Sequence, residues 1–379
     1  MPILTEAKNI FAIISYPFLP ATTGGEISTL NILSFMGKIH HVKVFTVEPY
    51  KDVSSQKFDF EIEFGMKFKP VRYINIFLLF KLIHKIKNFN THYIFFDQPF
   101  MGWMIPILKF FTGKKVFIRS NNIEYLRFKS VGKIWWQLMY MFEKFVYQSA
   151  DLVIFVSDTD RLKAIEKFKL KEQKTMLTPY GIPHKTLPEP KTDARNWLCN
   201  QYKINPKNKL LLFFATMSYK PNYDAVSFIA DEIYPLLKKS LNQFTILICG
   251  KNLPDFILQK LVNKPEIIYC GFVDDIDTYI DGCDVMINPI LSGGGVKTKA
   301  IDTLGRGAIV VSTQTGAEGI NPKVCDNNLL IAKDFDWVEF TNLILKVLFE
   351  PKPNIPNDFF DEYSWPGIIN RLSEKLTTL

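Results

Sequence analysis

Short apolar runs alternate with helical patterns through the first half of the chain. These runs are continuous stretches of apolar residues rather than strict apolar–polar alternations. Continuous apolar strands separated by helices are typical of a parallel sheet that helices cover on both faces. We therefore predict strands at residues 9–16, 41–47, 91–97, 115–120 and 151–157. The first half is predicted to be an α/β domain with a doubly wound sheet.

The segment 183–206 changes in character, because prolines and charges dominate its beginning and its end. We interpret it as a linker with one short helix. The alternation then resumes, with strand-like runs at residues 209–216, 244–250, 266–272, 284–290, 308–313 and 328–332. We predict an N-terminal domain at 1–182 and a second doubly wound domain at 207–379, whose last helix packs back on the first. Gly181, just before the linker, is expected to adopt an unusual backbone angle.

The segment 292–302, with the sequence SGGGVKTKAID, is the most informative part of the chain. It follows a predicted strand and opens a predicted helix, so its N–H groups and the helix dipole can face an anion. Lys297 and Lys299 add charge for a phosphate, and Asp302 shares a helix face with Lys299 and can accept hydrogen bonds from sugar hydroxyls. The glycines that allow close approach of a ligand are Gly293, Gly294 and Gly295. The segment predicts a diphosphate and ribose site, and the alternative is a surface turn before a basic helix.

Two parallel-sheet domains joined by a linker predict a cleft, and such sheets bind ligands outside the carboxyl ends of their strands. Gly24 and Gly25 follow the first strand without a GxGxxG or P-loop pattern, so they either contact a phosphate or form a tight turn. Asn121 follows the strand at 115–120, where it either faces a ligand or caps a helix. Comparable loops of the second domain contain Thr216, Lys220, Gly316 and Glu318.

Composition narrows the classes of partner. The 379 residues are 47% hydrophobic and 22% charged, which excludes a disordered protein. A net charge of +8 suits nucleotide phosphates, an acidic membrane surface or nucleic acid, although no RNA- or DNA-binding signature is present. The five cysteines lack CxxC spacing and the five histidines lack metal-ligand spacing. We therefore expect neither a disulfide framework nor a metal site.

Membrane contact is the remaining question that the sequence raises. No stretch approaches the roughly 20 apolar residues of a membrane span, and no basic leader precedes the first apolar run. We expect a cytoplasmic protein. Aromatic residues are dense at 134–147, and apolar and basic positions mix at 77–89. These segments either face a membrane or an acceptor, or are ordinary helices with an inward apolar face.

The motifs and their order resemble the family-4 retaining glycosyltransferases over nearly the whole chain. The strings that carry the resemblance are PATTGGE, RSNNIEY, SADLVIFVSDTD, PYGI, ATMSYKPNYDAV, GFVDDI and INPILSGGGVKTKAIDTLGRGAIVVSTQTGAEGI. The last of these is similar to the branch of the family with an SGGGxRxKxxE motif. The resemblance implies the GT-B fold, in which two Rossmann-like domains face a cleft. It also implies a hexosyltransferase-type enzyme that acts with retention and without a metal or other cofactor.

The same resemblance implies that the second domain holds a UDP- or GDP-sugar and that the first holds a saccharide or lipid-linked acceptor, in surface polysaccharide synthesis. Lys297 and Lys299 would neutralise the diphosphate in place of a metal ion, Asp302 would bind the ribose, and Gly316 to Gly319 would line the donor pocket. The implied catalytic residues are Lys297, Lys299, Gly25 and Asn121. The implied nucleotide-binding residues are Gly24, Gly25, Thr216, Lys220, Gly293, Gly294, Gly295, Lys297, Asp302, Gly316 and Glu318.

The chain departs from the family pattern in three respects, which involve five positions. Asn121 stands where the family usually has His, Thr216 stands where it usually has Arg, and Lys220 is an approximate stand-in for the usual Lys. The family's pair of glutamates is replaced by Gly294 and Asp302, the second being one methylene shorter than Glu. These departures leave two alternatives to an active transferase, a catalytically weak partner subunit and another GT-B enzyme such as a sugar-nucleotide epimerase.

Overall fold

The computed structural model describes residues 6–53, 55–130, 132–293 and 296–379. The chain forms two compact units. The first unit comprises Met1–Pro183 together with Trp365–Leu379, and the second unit comprises His184–Ser364. The two parallel α/β sheets predicted from the apolar runs are confirmed, one in each unit.

The described part of the first unit is built on a seven-stranded parallel sheet in the order β3-β2-β1-β4-β5-β6-β7. The strands are β1 (Asn9–Ile14), β2 (His41–Val47), β3 (Glu61–Met66), β4 (Tyr93–Asp97), β5 (Lys115–Ser120), β6 (Leu152–Phe155) and β7 (Thr175–Leu177). The helices are α1 (Gly24–Gly37), α2 (Ile76–Asn88), α3 (Ile105–Thr112), α4 (Glu124–Ser130), α5 (Trp136–Ser149), α6 (Asp158–Phe168) and the C-terminal helix (Trp365–Thr377). The edge strand β3 was not predicted, because its half-exposed sequence EIEFGM carries no continuous apolar run.

Alternate residues of each strand enter the cores on opposite faces of this sheet. In β1, Phe11 and Ile13 pack into one core with α2, α3, α5 and α6. Ile10, Ala12 and Ile14 pack into the other core, with α1 and the C-terminal helix. The C-terminal helix therefore completes the first unit, although it follows the second unit in sequence.

Gly181 lies against this C-terminal helix. A Cβ at Gly181 would lie 2.6 Å from Cδ2 of Trp365 and 2.9 Å from Cδ1 of Ile368. Gly181 does not have a positive φ, so the prediction of an unusual backbone angle was wrong. Glycine is needed here for close packing, a requirement that depends on a residue nearly 200 positions away and cannot be recognised locally.

The described part of the second unit is built on a six-stranded parallel sheet in the order β10-β9-β8-β11-β12-β13. The strands are β8 (Lys209–Phe214), β9 (Phe244–Cys249), β10 (Ile267–Gly271), β11 (Val285–Asn288), β12 (Val310–Thr313) and β13 (Leu329–Ala332). The helices are α7 (Ala194–Tyr202), α8 (Lys220–Phe228), α9 (Tyr234–Ser240), α10 (Asp255–Leu261), α11 (Ile276–Gly282), α12 (Thr298–Gly305), α13 (Trp337–Phe349) and α14 (Asn357–Tyr363). The helix α7 lies within the segment predicted as a linker and packs on α11, where a Cβ at Gly282 would lie 2.5 Å from Cδ1 of Leu198.

Candidate functional site

The strand order of the second unit reverses between β8 and β11. From β8 the chain proceeds to β9 on one side, whereas β11, β12 and β13 follow one another on the other side. In open α/β sheets, ligands bind beyond the carboxyl ends of the strands at such a reversal. The loops after β8, β11 and β12 therefore mark the first place to look for a site, and the predicted glycine-rich segment follows β11.

Two glycines pack these three loops together. Gly293 has a φ of +93°, and a Cβ there would lie 2.9 Å from Oη of Tyr219 in the loop after β8. Gly319 has a φ of +82°, and a Cβ there would lie 2.6 Å from Cγ2 of Val296 in the loop after β11. Both positions combine a left-handed backbone with close approach, so only glycine fits without strain. Gly294 and Gly295 lie outside the described residues.

A buried amide fixes the base of the loop after β12. Nδ2 of Asn288 donates to Oγ of Ser312 at 3.1 Å and to the carbonyl of Gly316 at 2.9 Å. A Cβ at Gly316 would lie 2.5 Å from Oγ of Ser312, and Gly316 N donates to Oγ1 of Thr313 at 3.0 Å. The structure thus places Gly316 in the buried support of the loop, and its contact with a donor stays a prediction.

The two predicted phosphate-binding lysines lie at the start of α12. Nζ of Lys297 donates to the carbonyl of Gly293 at 2.7 Å. Nζ of Lys299 donates to Oδ1 of Asn222 at 3.3 Å and lies 4.4 Å from the ring centroid of Phe213. Lys299 thereby links the first turn of α12 to the beginning of α8.

Burial lowers the pKa of both lysines, because it disfavours their charged form. Desolvation, together with the neighbouring charge of Lys297, lowers the pKa of Lys299 to about 7. Desolvation also lowers the pKa of Lys297, while the Glu318 carboxylate acts in the opposite direction. An ammonium group held out of water, as that of Lys299 is, is an unfavourable arrangement that an anionic ligand can relieve. Such shifts are common at functional sites.

The other predicted residues of the second unit occupy different environments. Asp302 lies on α12, half-buried and three residues after Lys299. The carbonyl of Thr216 accepts from Nδ2 of Asn222 at 2.9 Å. Lys220 is exposed at the start of α8 and pairs with Asp224 at 2.7 Å, one helical turn away. The charge of Lys297 therefore interacts with those of Lys299 and Glu318. Lys220 instead forms an ion pair with Asp224 on its own helix.

In the first unit, Gly24 and Gly25 open α1. Thr23 and Glu26 form a capping box around them, with Oε2 of Glu26 accepting from Thr23 N at 2.9 Å. Apart from the chain neighbours and the nearby backbone of α1 itself, no described atom lies within 4 Å of the position that a Cβ would take at either glycine. Packing and backbone angle do not require glycine here, so the two positions leave their N-terminal backbone open to approach.

A buried charge network that the sequence did not predict holds α1 against the strand ends. Arg119 Nε donates to Oδ1 of Asp97 at 2.9 Å, and both side chains are essentially inaccessible to solvent. Oη of Tyr16 and Oγ1 of Thr29 also donate to this carboxylate, at 2.6 and 2.7 Å. The network joins β4, β5 and α1, and thereby fixes the direction in which Gly25 presents its backbone.

Asn121 follows β5 directly. Its Oδ1 is buried and has no hydrogen-bond partner among the described residues. The side chain does not cap α4, because the Glu143 carboxylate accepts from Glu124 N at 2.8 Å and from Tyr125 N at 3.0 Å. Burial raises the pKa of Glu143 to about 7. A buried amide oxygen with no partner is costly, so Asn121 remains a candidate ligand contact.

Comparisons with known proteins find a family model and a relative that each match part of the chain. Residues 208–349 match the family model described as Glycosyl transferases group 1, which covers the candidate site of the second unit. A Klebsiella pneumoniae protein described as an uncharacterized 44.6 kDa protein in cps region is 27% identical over 249 residues. That match spans 61% of this chain and 60% of the Klebsiella protein, which is less than two thirds of its length.

Solved structures extend the likeness to the whole chain. Anabaena Alr3699/HepE in complex with UDP has a TM-score of 0.74 at 14% identity, covering 97% of this chain and 100% of that one. Sucrose-phosphate synthase (tll1590) from Thermosynechococcus elongatus has a TM-score of 0.70 at 15% identity, covering 98% and 100%. The fold is GT-B. The lipopolysaccharide outer core galactosyltransferase WaaB shares it, with a TM-score of 0.62 at 11% identity and coverage of 98% and 100%.

The cysteines, possible metal ligands and helix lengths of this GT-B chain complete its description. All five cysteines are free thiols, and four are buried. Within the described ranges, no three His, Cys, Asp or Glu side chains are grouped as a metal ion would require. Every helix in the described part is too short or too polar to traverse a bilayer. The GT-B fold was predicted correctly, whereas metal independence stays a prediction.

Proposed function

We propose that the protein is a retaining glycosyltransferase that moves a sugar from a nucleotide-sugar donor to a saccharide or lipid-linked acceptor in surface polysaccharide synthesis. The group 1 family match and the GT-B neighbours support a glycosyltransferase. The observation that carries the proposal is the pair of desolvated lysines, Lys297 and Lys299, where the strand order of the second unit reverses. A diphosphate is the ligand whose charge fits them.

The chemistry follows from the charge that develops during transfer. As the bond between the sugar and the diphosphate breaks, negative charge grows on the leaving oxygen. Cations that are fixed in place before the reaction stabilise this charge most strongly in the transition state. Lys297 and Lys299 would supply that charge, with no metal ion or other cofactor, and Asp302 would accept hydrogen bonds from the ribose hydroxyls.

Retention follows from a same-face mechanism, in which the acceptor attacks from the face that the diphosphate leaves and no carboxylate nucleophile takes part. The leaving phosphate would then take the proton of the acceptor hydroxyl, so that no side-chain base is required. In the first unit, the backbone N–H of Gly25, which opens α1, and the amide oxygen of Asn121, which follows β5, would contact the acceptor or the sugar. UDP-sugars are the first donors to test, because the Anabaena neighbour binds UDP and UDP-glucose.

The runner-up proposal is a catalytically weak, transferase-like binding subunit. It is favoured by Asn121 at the position where the family usually has His. It is also favoured by Lys220, which pairs with Asp224 on its own helix. Under this alternative the second unit would still bind a nucleotide, but no acceptor would give turnover.

The test is a titration of the full chain with UDP- and GDP-sugars, with free nucleotide followed over time in the presence of EDTA. Lys297→Ala should weaken donor binding and slow turnover on the order of 10²-fold. Lys207→Ala is the matched control, because this exposed lysine precedes β8 and so lies at the amino ends of the strands, away from the candidate site. Binding without turnover on any acceptor would select the runner-up, and no binding would reject both proposals.

A further inference from the structure

The first unit exposes apolar side chains that its core does not use. Fourteen of the 26 exposed large hydrophobic side chains among the described residues lie between Phe64 and Phe145. The most exposed are Phe77 at 81%, Phe110 at 83% and Ile134 at 90%. Scattered apolar residues on a protein surface need no explanation, but a dense group of them marks an interaction surface.

Most of these side chains lie on or beside α2, α3 and α5, which pack on one side of the sheet. The inward residues of α2, α3 and α5 all belong to the same core, so the outward faces of these helices point away from it together. The turn Pro99–Met104, which precedes α3, contacts both α5 and the residues just before α2. Nε1 of Trp103 in this turn donates to the carbonyl of Tyr73 just before α2, and Gly102 packs against Val146 of α5. We call this surface the aromatic face, formed by Val71, Ile74, Ile76, Phe77, Phe80, Phe110, Phe111, Ile134, Trp135, Leu138, Met141 and Phe145.

The charge around the aromatic face has one sign. Residues 64–150 contain fourteen lysines and arginines but three carboxylates. All three carboxylates are buried, namely Asp97, Glu124 and Glu143. At the borders, Glu63 pairs with Lys85 and Asp151 pairs with Lys109, each at 2.8 Å. The solvent-exposed cations of the segment include Lys67, Lys69, Lys81, Lys87, Arg127, Lys129 and Lys133.

We propose that the aromatic face docks the protein on the surface of an anionic lipid bilayer. Helices that lie in the membrane interface combine aromatic and aliphatic side chains with lysine and arginine, and anionic lipids attract them. A second copy of the chain fits less well, because an isologous contact would bring one set of like charges against the other. The positive charge therefore favours a partner with a negatively charged surface, and the exposed rings favour a partner with an apolar layer beneath that surface.

This docking would deepen the proposed function, because it would present lipid-linked acceptors to the first unit. The crossover helices run antiparallel to the strands that they connect, so α2 and α5 begin at the edge where the strands end. Asn121 follows the end of β5 at that edge, and Gly25 lies in the first turn of α1, which begins there. Phe77, Trp135 and Leu138 lie in or beside the first turns of α2 and α5, so the lipid contact would be closest to the candidate acceptor side.

The experiment is sedimentation of the full chain with vesicles of phosphatidylcholine alone and of phosphatidylcholine mixed with phosphatidylglycerol. We expect binding to the anionic vesicles that weakens with added salt. The variant Lys81→Gln/Lys133→Gln should bind about thirtyfold more weakly, from about 1 kcal/mol for each cation near the surface. The variant Phe77→Ser/Leu138→Ser should lose binding by a comparable factor or more. Both pairs are exposed, so folding should be unaffected.

The matched control is Val262→Ser/Phe349→Ser, which removes two exposed apolar side chains of the second unit and should leave vesicle binding unchanged. Equal binding to both vesicle compositions, or binding to neither, would overturn the proposal. Self-association that Phe77→Ser/Leu138→Ser abolishes, without vesicle binding, would identify a contact between copies instead. UDP binding is measured separately, so a failure of membrane docking is distinguishable from a failure of the donor site.

Discussion

Replacing Gly25 with Ala should separate activity from stability. Gly25 is the second residue of α1, and its φ is not positive. Apart from its chain neighbours and the nearby backbone of α1, no described atom lies within 4 Å of the position where a Cβ would be. The substitution therefore adds a methyl group to open space and removes some freedom from the unfolded chain. Stability should stay unchanged or rise by up to about 1 kcal/mol.

Turnover should fall sharply in the same variant. If a reacting sugar or its phosphate approaches the Gly25 backbone, the added methyl group displaces it by about the length of a bond. A misplacement of about 1 Å can cost on the order of 10²-fold in rate. The affinity for UDP should change little, because the nucleotide is proposed to bind the second unit. The assays are calorimetric titration with UDP, release of UDP from the donor sugar, and thermal unfolding.

The matched control, Gly102→Ala, should behave in the opposite way. A Cβ at Gly102 would lie 2.2 Å from Cγ1 of Val146, so overpacking should cost about 1–3 kcal/mol. Each kcal/mol should lower Tm by about 2–4 °C in a unit of this size, while turnover measured well below Tm stays normal. The reasoning fails if Gly25→Ala keeps full turnover, since nothing reactive would then occupy the open space.

Four further outcomes are expected. UDP affinity should weaken by up to about tenfold per pH unit above pH 7, because the pKa of Lys299 lies at about 7 and binding must then take up a proton, which titrations in buffers of different ionisation enthalpy would detect. Lys299→Met should remove that pH dependence together with most of the affinity. Asp97→Asn should destabilise the first unit by about 3–5 kcal/mol in urea unfolding, because it leaves the Arg119 guanidinium buried without its carboxylate, whereas intact stability would show that the pair is dispensable. Gly316→Ala should cost about 1–3 kcal/mol through contact with Ser312 Oγ, and a normal Tm would contradict the close packing of the loop.

The apolar runs predicted the architecture because a central parallel strand is buried on both faces. Ile10 to Ile14 are almost completely inaccessible, so their hydrophobicity is continuous and readable. The edge strand β3 was not predicted for the opposite reason. Glu61 is exposed, and most other residues of the strand are exposed or only partly buried. Sequence patterns report burial, and an edge strand is only partly buried.

The candidate site was predicted only as far as local spacing reaches. The pair Lys297 and Lys299 follows from the glycine-rich segment alone. Their partners come from other loops, as Asn222 does on α8, and no spacing rule connects positions 77 residues apart. Arg119, the first residue of the string RSNNIEY, lies near the end of β5 and is buried against Asp97. Its strongly apolar strand, in which neighbouring residues are fully buried, was the signal that a charge there must be paired.

The identity of the residue beside Lys299 shows how the site can keep its charge for a ligand. The hydrogen-bond partner is the amide of Asn222, which orients the ammonium group without neutralising it. An aspartate at this position would form an ion pair, raise the pKa of Lys299 and repel an incoming diphosphate. The neutral partner instead leaves the lysine desolvated and poorly compensated, so part of the unfavourable burial is relieved only when an anion arrives. Binding and protonation of Lys299 are then linked, and each must strengthen the other by the same factor.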